Sequence, residues 1–269
     1  FVAAPQKHGK TTFLINSFMT ILKNYPDQKH YFFSYEETES AIIQKMFMQY
    51  LADRGEIKAA DDVKDYFLGE DCAKESEFAS IASQIEKYED DFWGALSRSG
   101  VVYENLPLET LSQLIEELSK RDDTGAIFID YIQLINVENG SQPRNIIIKD
   151  ICNGLKDTAV KTGKAIIIAT QFNREGGKNP FQLTTWNLAE GADIERSANK
   201  VIALFDLSTK QTAYSTAEIK NAERLGYCET RKIIQTDKKG NPIEIKIPIP
   251  RYNCCLLYTS DAADERSSV

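Results

Sequence analysis

Short apolar runs alternate with amphipathic stretches along most of the chain. Residues 1–4 (FVAA) are wholly apolar, and residues 11–25 follow with Leu14, Phe18, Ile21, Leu22 and Tyr25 at helical spacing. Residues 30–35 (HYFFSY) have the composition of a strand, and residues 39–55 set Ile42, Ile43, Met46, Phe47 and Tyr50 on one side of a helix. Residues 56–99 are acidic and helical in pattern, with Phe78, Ile81, Ile85, Tyr88 and Phe92 as the apolar positions. A strand is predicted over 100–104 (GVVYE), a helix over 108–121, and a strand over 126–130 (AIFID) that is apolar until its last residue. A helix over 145–162 carries Ile148, Ile151, Leu155 and Ala159; residues 165–170 and 200–207 are further strands. Near the end, RKIIQ (231–235) and IEIKIPI (243–249) flank Lys-Lys-Gly-Asn, the composition of a hairpin turn.

Continuous apolar strands alternating with helices predict an α/β fold: a mostly parallel twisted sheet with helices on both faces. Ligands of such sheets sit at the carboxyl ends of the strands. The polar residues expected there are 6–12, 34–37, 130–133 and 170–174. No internal repeat is present, so one domain is expected over residues 1–253, with 56–99 read as a helical insertion. Both ends look cut. Residues 255–265 (CLLYTSDAADE) resemble a translated sequencing adapter, so residues 254–269 are expected to be a non-native tail.

Composition narrows the function classes. The 269 residues, 42% of them hydrophobic, suffice for a sizeable core. A net charge of −8 excludes a generic nucleic-acid coater, so phosphate must be bound by local loops. The five cysteines form no C-x-x-C pair and there are two histidines, which argues against a zinc site or disulfide framework and for a reducing cytoplasm. No apolar run is long enough for a membrane span, and no signal-peptide pattern occurs.

Residues 4–12 (APQKHGKTT) join the first strand to the first helix. A phosphate-binding loop needs a tight strand-to-helix turn whose N–H groups face the phosphates. Its lysine reaches the terminal phosphates and its hydroxyl holds Mg²⁺. Ala4 takes the first glycine position, acceptable where the backbone keeps φ negative. Pro5, Gln6, Lys7 and His8 form the body of the loop; Gly9, Lys10 and Thr11 complete it, and Thr12 enters the helix. The bland alternative, a turn with a chance Gly-Lys-Thr, is outweighed by the apolar strand before and the amphipathic helix after. Asp130 ends an apolar strand, as a Mg²⁺-shell carboxylate does beside such a loop; a strand-end aspartate commonly caps a turn, but this one comes two strand–helix units downstream of the loop. Glu36, just past a strand end, has two readings of equal weight. It could polarise an attacking water, or Ser34 to Glu37 could form a helix capping box. Gln171 could sense a γ-phosphate, but alone it reads better as a polar strand terminus.

Taken in order, AAPQKHGKTT (3–12), FFSYEE (32–37), IDYIQLI (129–135), ATQFNR (169–174) and LAEGADIERSANKVIALF (188–205) resemble the motor domain of DnaB-type hexameric replicative helicases. The segment 151–163 (ICNGLKDTAVKTG) resembles the helix before that family's fourth motif. The resemblance spans roughly residues 1–207 and is weak over 56–99. It implies a RecA-like P-loop NTPase fold that hydrolyses ATP between neighbouring subunits of a hexameric ring around single-stranded DNA. Lys10 and Thr11 would bind phosphates and Mg²⁺, Asp130 would organise Mg²⁺, and Glu36 would activate water. Gln171 would couple the γ-phosphate to loops near 136–144 and 174–182. Their Arg144, Arg174 and Lys178 could track a DNA backbone or be ordinary solvated charge. The family's glycines inside the loop are replaced here. Its late Lys-x-Arg-x-Gly motif is met only by TDKKG (236–240), where Lys238 would act in trans without arginine's bidentate fork. The family's N-terminal collar is not among these residues. Primase or a loader would be partners. The leading expectation is an ATPase motor of a replicative DNA helicase; the alternatives are a RecA-like ATP-dependent switch or recombination mediator without unwinding, and a phosphate-loop kinase. The kinase should carry an arginine-rich lid, which is not found.

Overall fold

The computed structural model describes residues 1–54, 75–137, 142–173, 188, 191–204, 228–236, 242–250 and 254–259. The chain forms two compact units, Thr11–Ala169 and Phe1–Lys10 with Thr170–Val269.

In the unit 11–169, helix α1 (Lys10–Asn24, entered from the other unit at Lys10) leads to β2 (Lys29–Ser34) and α2 (Glu39–Ala52). Helix α3 (Glu75–Leu96), β3 (Gly100–Tyr103), α4 (Leu108–Ser119) and β4 (Thr124–Asp130) follow. A 3₁₀ turn (Ile132–Leu134) and α5 (Arg144–Thr162) lead into β5 (Ile166–Gln171), whose last two residues belong to the other unit. The strands pair in the order β3-β2-β4-β5, all parallel. That explains the near-continuous apolar character of β4: both of its faces are covered. On one face Phe18 of α1 sets its ring edge against Phe32 and Phe128 at 5.8 and 5.5 Å, and Phe32 stacks on Phe128 at 6.2 Å. Leu14, Ile42, Met46, Leu51 and Phe92 belong to the same cluster. Fully burying each such side chain is worth roughly 1.5–3 kcal/mol. Ile127 and Ile129 alternate to the other face. Leu111, Ile115, Ile148 and Ile151 are fully buried outside the phenylalanine cluster. Helix α5 stops at Gly163, which takes φ 66° and returns its N–H to the Ala159 carbonyl at 2.9 Å.

In the other unit, β1 (Val2–Ala4) runs parallel to β6 (Lys200–Leu204), which follows the short helix α6 (Gly191–Ser197). The hairpin expected near residue 238 is formed by β7 (Cys228–Thr236) and β8 (Pro242–Pro250), antiparallel with Gln235 opposite Ile243. Its tip, residues 237–241, lies outside the described residues. Strand β9 (Cys254–Thr259) pairs antiparallel with β6, although the sequence places this segment outside the fold. An apolar run can pair with an open strand edge whatever its origin. No helix among the described residues is long and apolar enough to cross a membrane.

Candidate functional site

Strand β1 delivers the chain to the loop at Ala4, which is fully buried and keeps out of the positive-φ region, so alanine serves in the first position of the motif. The turn is made further on: Lys7 takes φ 64°, Gly9 takes φ 80°, and the His8 N–H donates to the Pro5 carbonyl at 3.4 Å. Helix α1 begins at Lys10, and its first turn contains no acidic residue. The N–H groups of that turn have no intrahelical acceptor, and the helix dipole favours an anion there. Gln6, Lys7, Gly9 and Thr12 are exposed; Lys10 is buried. The Phe172 N–H donates to the Ala4 carbonyl at 3.1 Å, which brings the carboxyl end of β5, with half-buried Gln171, beside the start of the loop.

In the unit 11–169, the Thr11 hydroxyl donates to Asp130 Oδ2 at 2.6 Å. Asp130 is fully buried and lies in register with Ser34. The chain leaves it through a cis peptide bond to Tyr131. The Tyr35 N–H extends the ladder to the Asp130 carbonyl at 2.8 Å, and the Tyr35 hydroxyl donates to the Leu106 carbonyl at 3.1 Å. Burial raises the pKa of this phenol far above its ordinary value, so it stays protonated as a donor.

Tyr35, the residue before Glu36, is thus anchored at two points. The sequence hid this role, because a tyrosine in an apolar strand reads as packing; the available signal was a hydroxyl that needs a partner once buried. Glu36 itself is exposed. Its neighbours are engaged: Ser34 Oγ donates to the Glu37 carbonyl at 2.5 Å and accepts the Glu37 N–H at 3.1 Å, and Glu37 pairs with Lys45. Thr38 caps α2, accepting the Ala41 N–H at 3.4 Å. The Ser34–Glu37 capping box therefore gives way to a cap at Thr38. Among the described residues, no hydrogen bond or ion pair holds the Glu36 carboxylate.

The guanidinium of Arg144 donates to the Gln133 carbonyl, tying the start of α5 to the 3₁₀ turn. Arg174, Lys178 and Lys238 lie outside the described residues. Among the described residues, no group of three or more His, Cys, Asp or Glu could hold a metal by itself.

A strand running into a tight loop with two left-handed residues and a helix opening on Lys-Thr is the arrangement of a RecA-like phosphate-loop fold. The chain belongs to the DnaB-like helicase C-terminal domain family, whose model matches residues 1–248. Among solved structures it is similar to one described as an ATPase domain, with 17% identity, 91% of this chain and 78% of that one covered, and a TM-score of 0.63. It is also similar to a DnaB-like replicative helicase described with its interactions with primase, with 17% identity and a TM-score of 0.61. That match covers 94% of this chain but spans only 56% of the helicase's length. No curated protein matches the chain.

Proposed function

We propose that this chain is the ATP-hydrolysing motor domain of a replicative DNA helicase, working as a hexameric ring that translocates on single-stranded DNA. The observation that carries the reading is the Thr11–Asp130 pair at 2.6 Å, one residue past the loop lysine. A hydroxyl and a buried carboxylate side by side are hard oxygen donors of the kind Mg²⁺ takes when phosphates complete its shell, so these residues fit the ion. Bound there, Mg²⁺ would neutralise charge on the terminal phosphates. The loop N–H groups and Lys10 hold the phosphates, and Asp130 fixes the Thr11 hydroxyl. Glu36, exposed on an anchored backbone and without a structural partner among the described residues, orients the attacking water. Catalysis here is positioning and electrostatics, since phosphoryl transfer leaves little covalent work for the protein. Gln171 relays the state of the γ-phosphate to the loops near 136–144 and 174–182, where Arg174 and Lys178 would follow a DNA backbone. Arg144, tied to the Gln133 carbonyl, would stand beside them. Lys238, near the hairpin tip, would reach a neighbouring subunit's nucleotide. Primase or a loader would be partners of the assembled protein.

The test is ATP turnover with and without single-stranded DNA. Turnover should rise with DNA and depend on Mg²⁺. Glu36→Gln should keep ATP binding and lose turnover by about 10²-fold or more. Turnover indifferent to DNA would favour the ATP-dependent switch, and full activity in folded Glu36→Gln would remove Glu36 from the mechanism. For Lys238, mixing Lys10→Ala chains with Lys238→Ala chains should restore activity at interfaces that pair an intact loop with an intact lysine. No recovery, with normal activity of Lys238→Ala alone, would leave that lysine as part of a turn.

A further inference from the structure

The pairing of β2 with β4 changes register near its amino end. Lys29 lies opposite Thr124, but Tyr31 lies opposite Ile127. One residue of β2, His30, therefore faces two of β4, Gly125 and Ala126. This is a β-bulge, which takes an N–H out of the ladder. A side chain supplies the missing acceptor: the Ala126 N–H donates to His30 Nδ1 at 3.0 Å. The imidazole is 1% exposed, lies edge-on to Phe18 at a centroid distance of 6.5 Å, and its backbone N–H donates to Ser99 Oγ at 3.1 Å. Gly125 leaves room for the ring. A Cβ there would stand 2.4 Å from His30 Cε1 and 2.5 Å from Nδ1.

The bulge decides which way Asp130 faces. With the register of Lys29 and Thr124 carried through unbroken, Ser34 would meet Ile129, and Asp130 would fall opposite Tyr35. Strand side chains alternate, so that one-residue slip would turn Asp130 to the far face, away from Thr11. With the bulge, Asp130 meets Ser34 and receives the Thr11 hydroxyl.

We propose that His30 is a positioning residue for the nucleotide site: its neutral imidazole replaces a ladder carbonyl at the bulge and thereby sets the register that presents Asp130 to Thr11. This rests on the proposed role of Asp130 in holding Mg²⁺. Accepting at Nδ1 requires the proton on Nε2. Protonation of Nδ1 ends the bond and buries a charge. The ionisable groups at this end of the strand pair, among the described residues, are Lys29, Asp123 and Arg121, joined in partly exposed ion pairs, and Lys164, whose Nζ donates to the Thr124 carbonyl at 2.6 Å. Helix α1 contributes Phe18 and the Tyr25 carbonyl beyond its end, and the turn before β3 contributes Ser99. Burial lowers the pKa of His30 and the Tyr25 carbonyl opposes it, with a net lowering.

The sign of the pH dependence follows. Unfolded, the ring takes a proton near pH 6.5; folded, only at lower pH. The unfolded state then binds more protons, so stability falls as pH drops below about 6.5 until the folded ring titrates.

The experiment uses imidazole NMR, melting and Mg²⁺-dependent turnover on the whole chain. His30 should show the Nε2–H tautomer at pH 7 and titrate below the ordinary histidine value. His30→Gln, which keeps an oxygen acceptor, should show Mg²⁺ dependence like the parent and lose the parent's fall in melting temperature between pH 7 and 5.5. His30→Leu, assayed well below its own melting point, should need at least about tenfold more Mg²⁺ for half-maximal turnover. An Nδ1–H tautomer, or a folded His30→Leu with the parent's Mg²⁺ dependence, overturns the proposal. A parent chain without Mg²⁺-dependent turnover sinks the functional reading instead; the tautomer and the pH slope of His30→Gln then still decide whether the ring closes the bulge.

Discussion

The phosphate loop after β1 and the bulge in β4 are both breaks in regular strand geometry, and both contain a glycine beside a histidine in sequence or in space. They are finished in opposite ways. In the loop, Gln6, Lys7 and Gly9 are exposed, and a Cβ on Gly9 would meet nothing within 4 Å. Its irregular backbone is left open to solvent at these residues. In the bulge, the freed N–H of Ala126 is closed off by His30, and a Cβ on Gly125 would strike the ring. Gly9 is needed for its φ of 80° and Gly125 for space. The loop keeps its irregular residues exposed, whereas the bulge pairs the freed Ala126 N–H internally, where leaving that donor buried and unpaired would cost about 1–3 kcal/mol.

The largest expected effect breaks the open side of this contrast. Lys10→Ala removes the cation at the helix start, and ATP turnover should fall by about 10²-fold or more, as when a preorganised charge-stabilising donor is lost. The chain should still fold cooperatively, as monitored by circular dichroism. Unchanged ATP affinity in the folded variant would mean that the loop is not a phosphate cradle. Next in size is the closed side. Gly125→Ala forces a methyl into the space of the imidazole and should cost about 1–3 kcal/mol in urea unfolding, the range for overpacked cores. A neutral Gly125→Ala would show that the ring can move aside and that the bulge has slack.

These two sites were unequally legible in the sequence. The loop is a contiguous stretch, and Gly9-Lys10-Thr11 between an apolar strand and an amphipathic helix is a local signal. Asp130 was legible because a charged residue ended an apolar run. The bulge was not, because its partners, His30 and Ala126, are 96 positions apart and neither breaks the apolar pattern. The apolar pattern accordingly predicts a strand from residue 126, whereas it starts at Thr124 and includes the bulge. Glu36 stood between two readings because Ser34 and Glu37 match a capping box; the apolar pattern already started the helix at residue 39, and the backbone shows that its cap is Thr38. The sheet class was legible from alternation alone; the pairing of β9 with β6 was not, since edge pairing depends on what else is within reach.

Two smaller effects sharpen the comparison within the loop itself. Gly9→Ala meets no atom, so its cost is conformational: about 1–2 kcal/mol for holding an L-residue in the left-handed region. Equal costs for Gly9→Ala in the isolated chain and Gly125→Ala would leave the distinction between a glycine kept for φ and one kept for space undecided on energetics. It must then be drawn from the adjoining side chains, His30→Gln rescuing Gly125→Ala but not Gly9→Ala.

The smallest effect is at Lys7, which holds φ 64° with a side chain attached and is exposed. Lys7→Gly should relieve roughly 1–2 kcal/mol of left-handed strain. Glycine's greater freedom in the unfolded chain takes back about 0.5–1 kcal/mol. The two partly cancel, so stability should change by between about 0 and 1.5 kcal/mol in the stabilising direction. Urea unfolding of the nucleotide-free chain reads this directly. The informative quantity is what happens to ATP affinity in the same variant. A lysine kept in a strained turn beside a phosphate site can persist because its ammonium attracts the ligand. Lys7→Gly should therefore weaken ATP binding, and the loss should shrink as salt is raised, since an exposed charge is screened over about 10 Å at 0.1 M. Equal or tighter binding at low salt would show that Lys7 occupies the turn without serving the ligand.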